Sequence, residues 1–307
     1  MGRVSVDLYP EQIGATLAEV KTFAKSLGGS ATNVAVAAAC LGHPSAVITK
    51  VGDDGFGPYV RRALEEFGVD ARWVGTDPEL RTPIVFCEIH PPDDFPLLFY
   101  REPKAPDMNL TVNDLDLEAI AAAPLFWMTG TGLSDEPSRT ATLTALEQRS
   151  GGITVFDLDY RPMLWKSDAE AGRLYHEALR HATVAVGNQE EVEVAVGTRD
   201  PFEASAALLD LGLELAVVKR GPRGVLARTA EGVAEASPIE VEVVNGLGAG
   251  DAFGGALCHA LLSGWDPERT IRYANAAGAI VASRLACADD MPTREEVEEL
   301  LERSAGV

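Results

Sequence analysis

The sequence predicts an α/β fold around a mostly parallel β-sheet, and three observations carry that prediction. Short β-branched runs recur along the chain, among them SAVITKVG, ITVFDLD, TVAVGN and LAVVKRG. Longer segments with apolar residues at helical spacing separate them, the alternation expected of βαβ units with parallel strands. Glycine follows three of the helical segments, at Gly42, Gly68 and Gly264, where a left-handed residue commonly ends a helix.

In chain order, a first strand begins almost at once, in RVSVDLYP, and residues 8–27 then depart from the plain alternation. A helix is expected at 30–41, a strand in SAVITKVG and a helix at 58–67. Residues 82–109 depart a second time: the strand-like halves IVFCEI and LLFYR flank a Pro/Asp turn, which predicts a hairpin outside the main sheet. Helices at 135–148, 168–180 and 203–211 alternate with the remaining β runs, and helices at 251–263, 267–285 and 293–303 follow a glycine-rich loop. The two excursions together suggest a small β lid. With no repeat, low-complexity tract or Pro/Ser linker, one domain over 1–307 with a discontinuous lid from 8–27 and 82–109 is expected.

Composition narrows the function. The 46% hydrophobic and 24% charged content is that of a globular protein. Cys40, Cys87, Cys258 and Cys287 form neither a C-x-x-C pair nor a zinc-like spacing, so reduced, structural thiols are expected. The five histidines, His43, His90, His176, His181 and His259, fall in no catalytic or metal pattern. No apolar run approaches the roughly 20 residues of a membrane span, and the N-terminus has no signal-like segment, so a cytoplasmic protein is expected. The formal charge of −21 works against nucleic acid or an anionic membrane as partner. Any anionic ligand must then be held by a local site.

Such a site is written in VNGLGAGDAFGG. Gly246, Gly248 and Gly250 leave the backbone bare just where a helix offers unpaired N–H groups and the positive end of its dipole, a setting that binds phosphate. Ala252, Phe253, Ala256, Leu257, Ala260 and Leu261 supply that helix with one apolar face. The chain contains no G-x-x-x-x-G-K-[ST] string, which excludes a P-loop. The loop also stands too late, with helices running on behind it, for a dinucleotide fingerprint. Asp251 has two readings: an ordinary N-cap, or a carboxylate placed to take the proton of a hydroxyl during phosphoryl transfer. The glycines alone would also suit a tight strand-to-helix turn.

GLGAGDAFGGAL resembles the second signature of the ribokinase-like (PfkB) carbohydrate kinases, and GGSATNVAVAAACLG followed by VGDDGFG resembles the first, in the family's order. The resemblance covers essentially the whole chain. It implies an α/β ribokinase-like three-layer sandwich with a mostly parallel central sheet and a small β-sheet lid, ATP and Mg²⁺ as cofactors with K⁺ as a candidate monovalent cation, and a sugar beneath the lid. On this resemblance Asp251 matches the catalytic base and the backbone of Gly248, Ala249 and Gly250 the anion hole. Asn188 and Glu191, in NQEE, match the element near magnesium and its waters. Lys219, Gly221 and Gly224, in VVKRGPRG, match the nucleotide loop, and Asn275 falls on the helix that lines the adenine pocket. Asp7, Gly28, Gly29 and Asn33 match the sugar-binding acid, glycine pair and amide. One departure stands out: Asn245 occupies a position where relatives commonly have Asp, which puts the family's cation arrangements in question.

Further strings, including DLDYRPMLW and FCEIHPPDDFPLLFYREPKAPD, resemble the family's sugar-acid kinases, which phosphorylate a terminal primary hydroxyl. A substrate carboxylate needs fixed cations, and Arg101, Lys104 and Arg161 are the candidates. Within the family, 2-keto-3-deoxygluconate kinase and fructokinase are the alternatives; outside it, a catalytically silent sugar sensor is. The partners expected are ATP and a small sugar acid, with the apolar hairpin residues Phe95, Leu97 and Phe99 suiting a homodimer clasp.

Overall fold

The computed structural model describes residues 1–305. They form two compact units, one of Met1–Gly2, Leu110–Pro238 and Ala260–Arg272, the other of Arg3–Asn109, Ile239–His259 and the chain from Tyr273 onward.

The first unit holds a six-stranded sheet in the order Gly232–Ala236, Val225–Thr229, Leu215–Lys219, Val184–Asn188, Ile153–Asp157, Leu125–Thr129. The four strands from Leu125 to Lys219 are mutually parallel, and the other two extend one edge as an antiparallel hairpin. The parallel strands are near-continuous apolar runs, such as the buried Leu215, Ala216, Val217 and Val218, as strands covered on both faces require. Helices Ser138–Glu147, Asp168–Leu179, Gln189–Val196 and Pro201–Asp210 connect them. Their starts are fixed chemically: Ser167 accepts from the Glu170 N–H, and Asp200 from Phe202 and Glu203 with Pro201 at the first helical position. Leu117–Ala122 and Gln189–Val196 are helices not expected from the sequence. Both are short, six and eight residues, so periodicity gives little signal there. Thr129, Asp157, Asn188 and Lys219 end the four parallel strands, with Asn188 directly opposite Lys219. Their following loops therefore share one sheet edge, where α/β sheets bind ligands.

In the second unit both excursions enter one four-stranded sheet, ordered Phe23–Gly28, Ser5–Pro10, Ile84–Cys87, Leu97–Tyr100. The expected hairpin forms, with Ile84 opposite Tyr100 and Cys87 opposite Leu97. SAVITKVG corrects the expectation of a single strand in the main sheet. Ser45–Ala46 pairs with Val69–Asp70 and Thr49–Gly52 with Val74–Asp77, because helix Gly57–Glu66 returns the chain directly alongside.

The period-two alternation of a strand decides which hairpin residues face inward. Phe95 and Phe99 pack with Tyr9, Val85, Cys87, Ile89 and Cys287 inside their own unit. Leu98 and Tyr100 remain 46% and 60% exposed. The outward aromatic stripe runs from Phe23 to Phe86 to Tyr100, each ring edge-on to the next at 5.4 Å.

Two close approaches set the positions of polar side chains in this unit. Gly255 of helix Ala249–Leu262 touches helix Ser30–Cys40 so closely that a Cβ would lie 2.3 Å from that of Ala37. Asn33 and Asp251 stand one turn earlier on the same two faces, since residues four apart stack along a helix. At the chain start, the buried Asp107 accepts from the Val4 N–H at 3.0 Å and from the Arg101 guanidinium, which also reaches the Val4 carbonyl. Arg101 therefore anchors the entry to the first strand. Its side chain is 8% exposed and that of Asp107 1%.

Removing one partner of a buried ion pair leaves the other charge uncompensated, at a cost of about 3–5 kcal/mol. Arg101→Ala is thus expected to lower the unfolding free energy by that order, checked by urea denaturation. A value within error of wild type would show that the pair does not hold this strand.

Candidate active site

Asp7 lies on the second strand from the edge of the four-stranded sheet, opposite Ser26. Its carboxylate rests on the bare Cα of Gly28, where a Cβ would come 2.1 Å from Asp7 Cγ. Gly29 has φ 99 and a Cβ there would meet the Arg3 carbonyl at 2.5 Å, so both glycines are required sterically. The Thr32 hydroxyl donates to the carbonyls of Gly28 and Gly29 and fixes the pair at the start of helix Ser30–Cys40. Burial pushes the Asp7 carboxyl up to about 6, against the opposing pull of the Ser5 hydroxyl at 2.6 Å, the nearby Arg3 charge and the Tyr9 hydroxyl. Asn33, 2% exposed, donates from Nδ2 to Asp251 Oδ2 at 2.8 Å. Its Oδ1 is buried with no partner among the described residues, an acceptor aimed at a donor that the protein does not supply.

Asp251 is the third residue of helix Ala249–Leu262. Its N–H and that of Ala252 both donate to the Gly248 carbonyl, at 3.0 and 2.9 Å. The N–H groups before them belong to the open helix end. Gly248 has φ 80, and a Cβ would lie 2.4 Å from Cys287 Sγ. Behind that sulfur stands Tyr9, whose hydroxyl donates to it at 2.7 Å and lies 3.5 Å from Asp7 Oδ2. Burial raises the Cys287 thiol and the Tyr9 phenol well above their usual ranges, and the neighbouring acid Asp7 adds to both. Gly246 is covered by the Phe95 ring of the hairpin, 2.9 Å from where its Cβ would be. Asp7, Gly28, Gly29, Asn33, Asp251 and the glycine loop are thus brought together within one unit.

Of the nucleotide-side candidates, Asn188, Lys219, Gly221 and Gly224 lie on the sheet edge of the other unit. Asn188 ends its strand and caps helix Gln189–Val196 by a capping box: Asn188 Oδ1 accepts from the N–H groups of Glu190 and Glu191, and Glu191 Oε2 accepts from the Asn188 N–H at 2.7 Å. Lys219 ends the neighbouring strand. Gly221 and Gly224 follow at φ 57 and 81, and a Cβ on Gly224 would lie 2.0 Å from the Ala236 carbonyl oxygen. Arg161 follows strand Ile153–Asp157, with Nη2 3.0 Å from Asp159 and Nη1 3.7 Å from Glu191. Asp159 is 3% exposed and, at φ 35, is the non-glycine residue with positive φ among the described residues. Asn275 is half-buried on helix Pro267–Ala282 and belongs instead to the unit of Asp7 and Asp251.

The three cations expected to meet a substrate carboxylate thus differ in placement. Arg101 is bound to Asp107, Arg161 sits between two carboxylates, and Lys104 is half-buried. Arg3 carries no signal in the sequence: it is 6% exposed, donates to Ser30 and acts electrostatically on Asp7. A basic residue four positions before a strand acid gives no pattern to find. Tyr9 and Cys287, 278 residues apart, are equally invisible there. Among the described residues no group of three or more His, Cys, Asp or Glu could hold a metal ion, and no helix is long and apolar enough to cross a membrane.

The chain is similar to known proteins over nearly its whole length. The model of the pfkB family carbohydrate kinases matches residues 1–294. A 5-dehydro-2-deoxygluconokinase of Photobacterium profundum is 36% identical, covering 98% of this chain and 93% of its own. One of Geobacillus kaustophilus is 34% identical, covering 99% and 92%. Among solved structures, a protein described as a ribokinase II of E. coli in complex with ATP and Mg²⁺ superposes with a TM-score of 0.89 at 25% identity, over 98% of this chain and 97% of that one. A fructokinase of Vibrio cholerae bound to fructose, ADP and potassium ion superposes at 0.87 with 27% identity, over 98% and 96%. With the family model matched over residues 1–294 and these relatives matched nearly end to end, the chain belongs to the pfkB family of carbohydrate kinases.

Proposed function

We propose that this ATP-dependent carbohydrate kinase transfers the γ-phosphoryl group of ATP to the terminal primary hydroxyl of 5-dehydro-2-deoxy-D-gluconate, the sugar-acid phosphorylation of myo-inositol breakdown. The observation that carries the reaction type is the Asn33–Asp251 hydrogen bond in front of the glycine loop. The support for the sugar acid is the identity of 32–36% with relatives of that name over 98–99% of this chain, against 24–27% for the fructokinase structures.

The steps follow from the residues. Asn33 fixes one oxygen of Asp251, so the carboxylate is aimed before substrate arrives. Asp251 orients the hydroxyl and takes its proton, and a loose transition state makes no demand for a strong base. The N–H groups of Gly248, Ala249 and Gly250 meet the charge on the transferring phosphoryl group. Asp7 accepts hydrogen bonds from sugar hydroxyls, and Asn33 Oδ1 supplies a further acceptor. For the sugar carboxylate, Lys104 of the expected cations and Arg3 beside Asp7 are the candidates in that unit, and Arg161 stays the candidate in the other. Lys219, Gly221, Gly224 and Asn275 hold the nucleotide.

Asn188 and Glu191 fit a magnesium ion through its waters, since Asn188 Oδ1 and Glu191 Oε2 already accept in the capping box and Glu191 Oε1 faces Arg161 at 3.7 Å. Such an outer-sphere arrangement suits a cation that keeps much of its hydration. Bound with ATP, Mg²⁺ supplies neutralisation of charge on the phosphate oxygens. The exposed Leu98 and Tyr100 stripe, rather than Phe95 and Phe99, would form the homodimer clasp.

Asp251→Asn is expected to retain ATP affinity in calorimetry while turnover of the sugar acid falls by at least about a hundredfold; near-normal turnover removes the base. In the same ADP-release assay wild type is expected to prefer the sugar acid over 2-keto-3-deoxygluconate and fructose, and preference for fructose would reject the substrate.

Asp7 gives a pH dependence whose sign is fixed by its shift. Its pKa rises from 3.8 to about 6 on folding, so the folded form holds a proton that the unfolded chain has lost between those values. Stability therefore declines as pH rises through that window and stays lower above it, by on the order of 3 kcal/mol. Asp7→Asn, which cannot ionise, should gain on wild type in melting temperature from about pH 4 to pH 6 and hold the gain above. A difference independent of pH would refute the buried carboxylate.

For the clasp, Leu98→Glu with Tyr100→Glu should convert a dimeric mass in light scattering to a monomeric one. A monomeric wild type would end that proposal.

A further inference from the structure

The glycine loop is held from behind by one side chain, Asn245, which is fully buried. Its Oδ1 accepts the Leu247 N–H at 2.9 Å, and its Nδ2 donates to the Leu285 carbonyl at 2.6 Å. Its own backbone N–H and that of Val244 both donate to the Ala282 carbonyl, at 3.1 and 2.9 Å. The partners fix the orientation of the amide, since a backbone N–H can only donate and a carbonyl can only accept. Leu285 lies two residues before Cys287, whose sulfur stands against the Cα of Gly248. One amide thus ties the start of the anion-binding loop to the segment on which that loop rests.

The residue type is decisive. An ionised aspartate has the same size but no N–H, and its oxygen would face the Leu285 carbonyl oxygen with nothing between them. Such a contact needs a proton or a cation to become attractive, because two buried acceptors left facing each other cost the desolvation of both. Asn245 provides the missing positive end as part of its own amide. The Leu285 carbonyl thus receives from the amide the positive partner that a cation would supply opposite an aspartate.

We infer that Asn245 is a positioning residue for the anion-binding loop and takes the place of a monovalent cation, so that this chain turns over at full rate without one. The inference rests on the proposed kinase activity. It differs from what the potassium-bound fructokinase structure would suggest for this chain.

The test uses the purified full chain in buffers whose only monovalent cation is tetramethylammonium, with or without KCl at matched ionic strength. Wild-type kcat and KM for ATP are expected to change less than about twofold on adding K⁺. Asn245→Asp is expected to lose about tenfold or more in kcat without K⁺, the scale of an unsatisfied buried acceptor, and to recover when K⁺ is added or when acid protonates the new carboxyl. Asn245→Ala is expected to lose activity that neither restores. Melting temperature with a non-hydrolysable ATP analogue gives a second readout: K⁺ should raise it for Asn245→Asp and leave wild type where tetramethylammonium puts it. Stimulation of wild type by about tenfold or more in K⁺, or an Asn245→Asp variant indifferent to K⁺ and pH in both readouts, would overturn the inference. Absence of turnover on every sugar in every salt would fail the kinase reading instead, and the melting data would still decide the role of Asn245.

Discussion

Gly255 and Ala37 allow two helices to approach until one backbone all but touches the other's methyl group. The contact lies one helical turn beyond Asn33 and Asp251, and it sets the spacing at which an amide and a carboxylate four residues back can share a proton at 2.8 Å. A larger residue at either position would act as a wedge and stretch that bond beyond hydrogen-bond range. The same economy of side-chain volume recurs around the site. Gly28 makes room for the Asp7 carboxylate, Gly29 for the backbone of Arg3 and Val4, and Gly248 for the Cys287 sulfur. Shape here is fixed by what is absent from the backbone, and the polar groups are aimed by that shape.

The electrostatics follow a similar local logic. A chain with a formal charge of −21 repels phosphates at long range, so any attraction must come from fixed groups at short distance, such as oriented N–H groups, where salt screens little. Burial of Asp7 raises its pKa, yet the group remains ionised in neutral solution, where it is useful as an acceptor. Arg101 shows the opposite use of charge. It is enclosed with Asp107 and serves to hold the N-terminal strand, which in turn carries Asp7.

Much of this is legible in the sequence. The hairpin is readable because IVFCEI and LLFYR alternate on either side of a turn, and three helix ends because Gly42, Gly68 and Gly264 follow them with positive φ. The glycine loop and Asp251 are readable because the pattern is local. What stays hidden depends on how the folded chain packs around each residue, whether its partners are near or far in sequence. Nothing in RVSVDLY points to Cys287 as the partner of Tyr9, nor does REPKAPD reveal that Arg101 bonds the Asp107 within it rather than a ligand. The inward turn of Phe95 and Phe99 is also hidden, since composition gives the apolar residues of a hairpin but only register gives their faces. SAVITKVG reads as one strand because its breaking into two pairs depends on where its neighbours return.

The thiols give the molecule a practical property. Cys87, Cys258 and Cys287 are buried, the half-buried Cys40 and the buried Cys87 and Cys287 have acidities suppressed by desolvation, and no disulfide joins the four. Since alkylating and oxidising reagents attack the thiolate, the three buried sulfurs are poor targets in the folded state, and the half-buried Cys40 is the more accessible one. A fluorophore or spin label could therefore be attached through one engineered surface cysteine after replacing Cys40 alone, with the sulfur that seats Gly248 left in place.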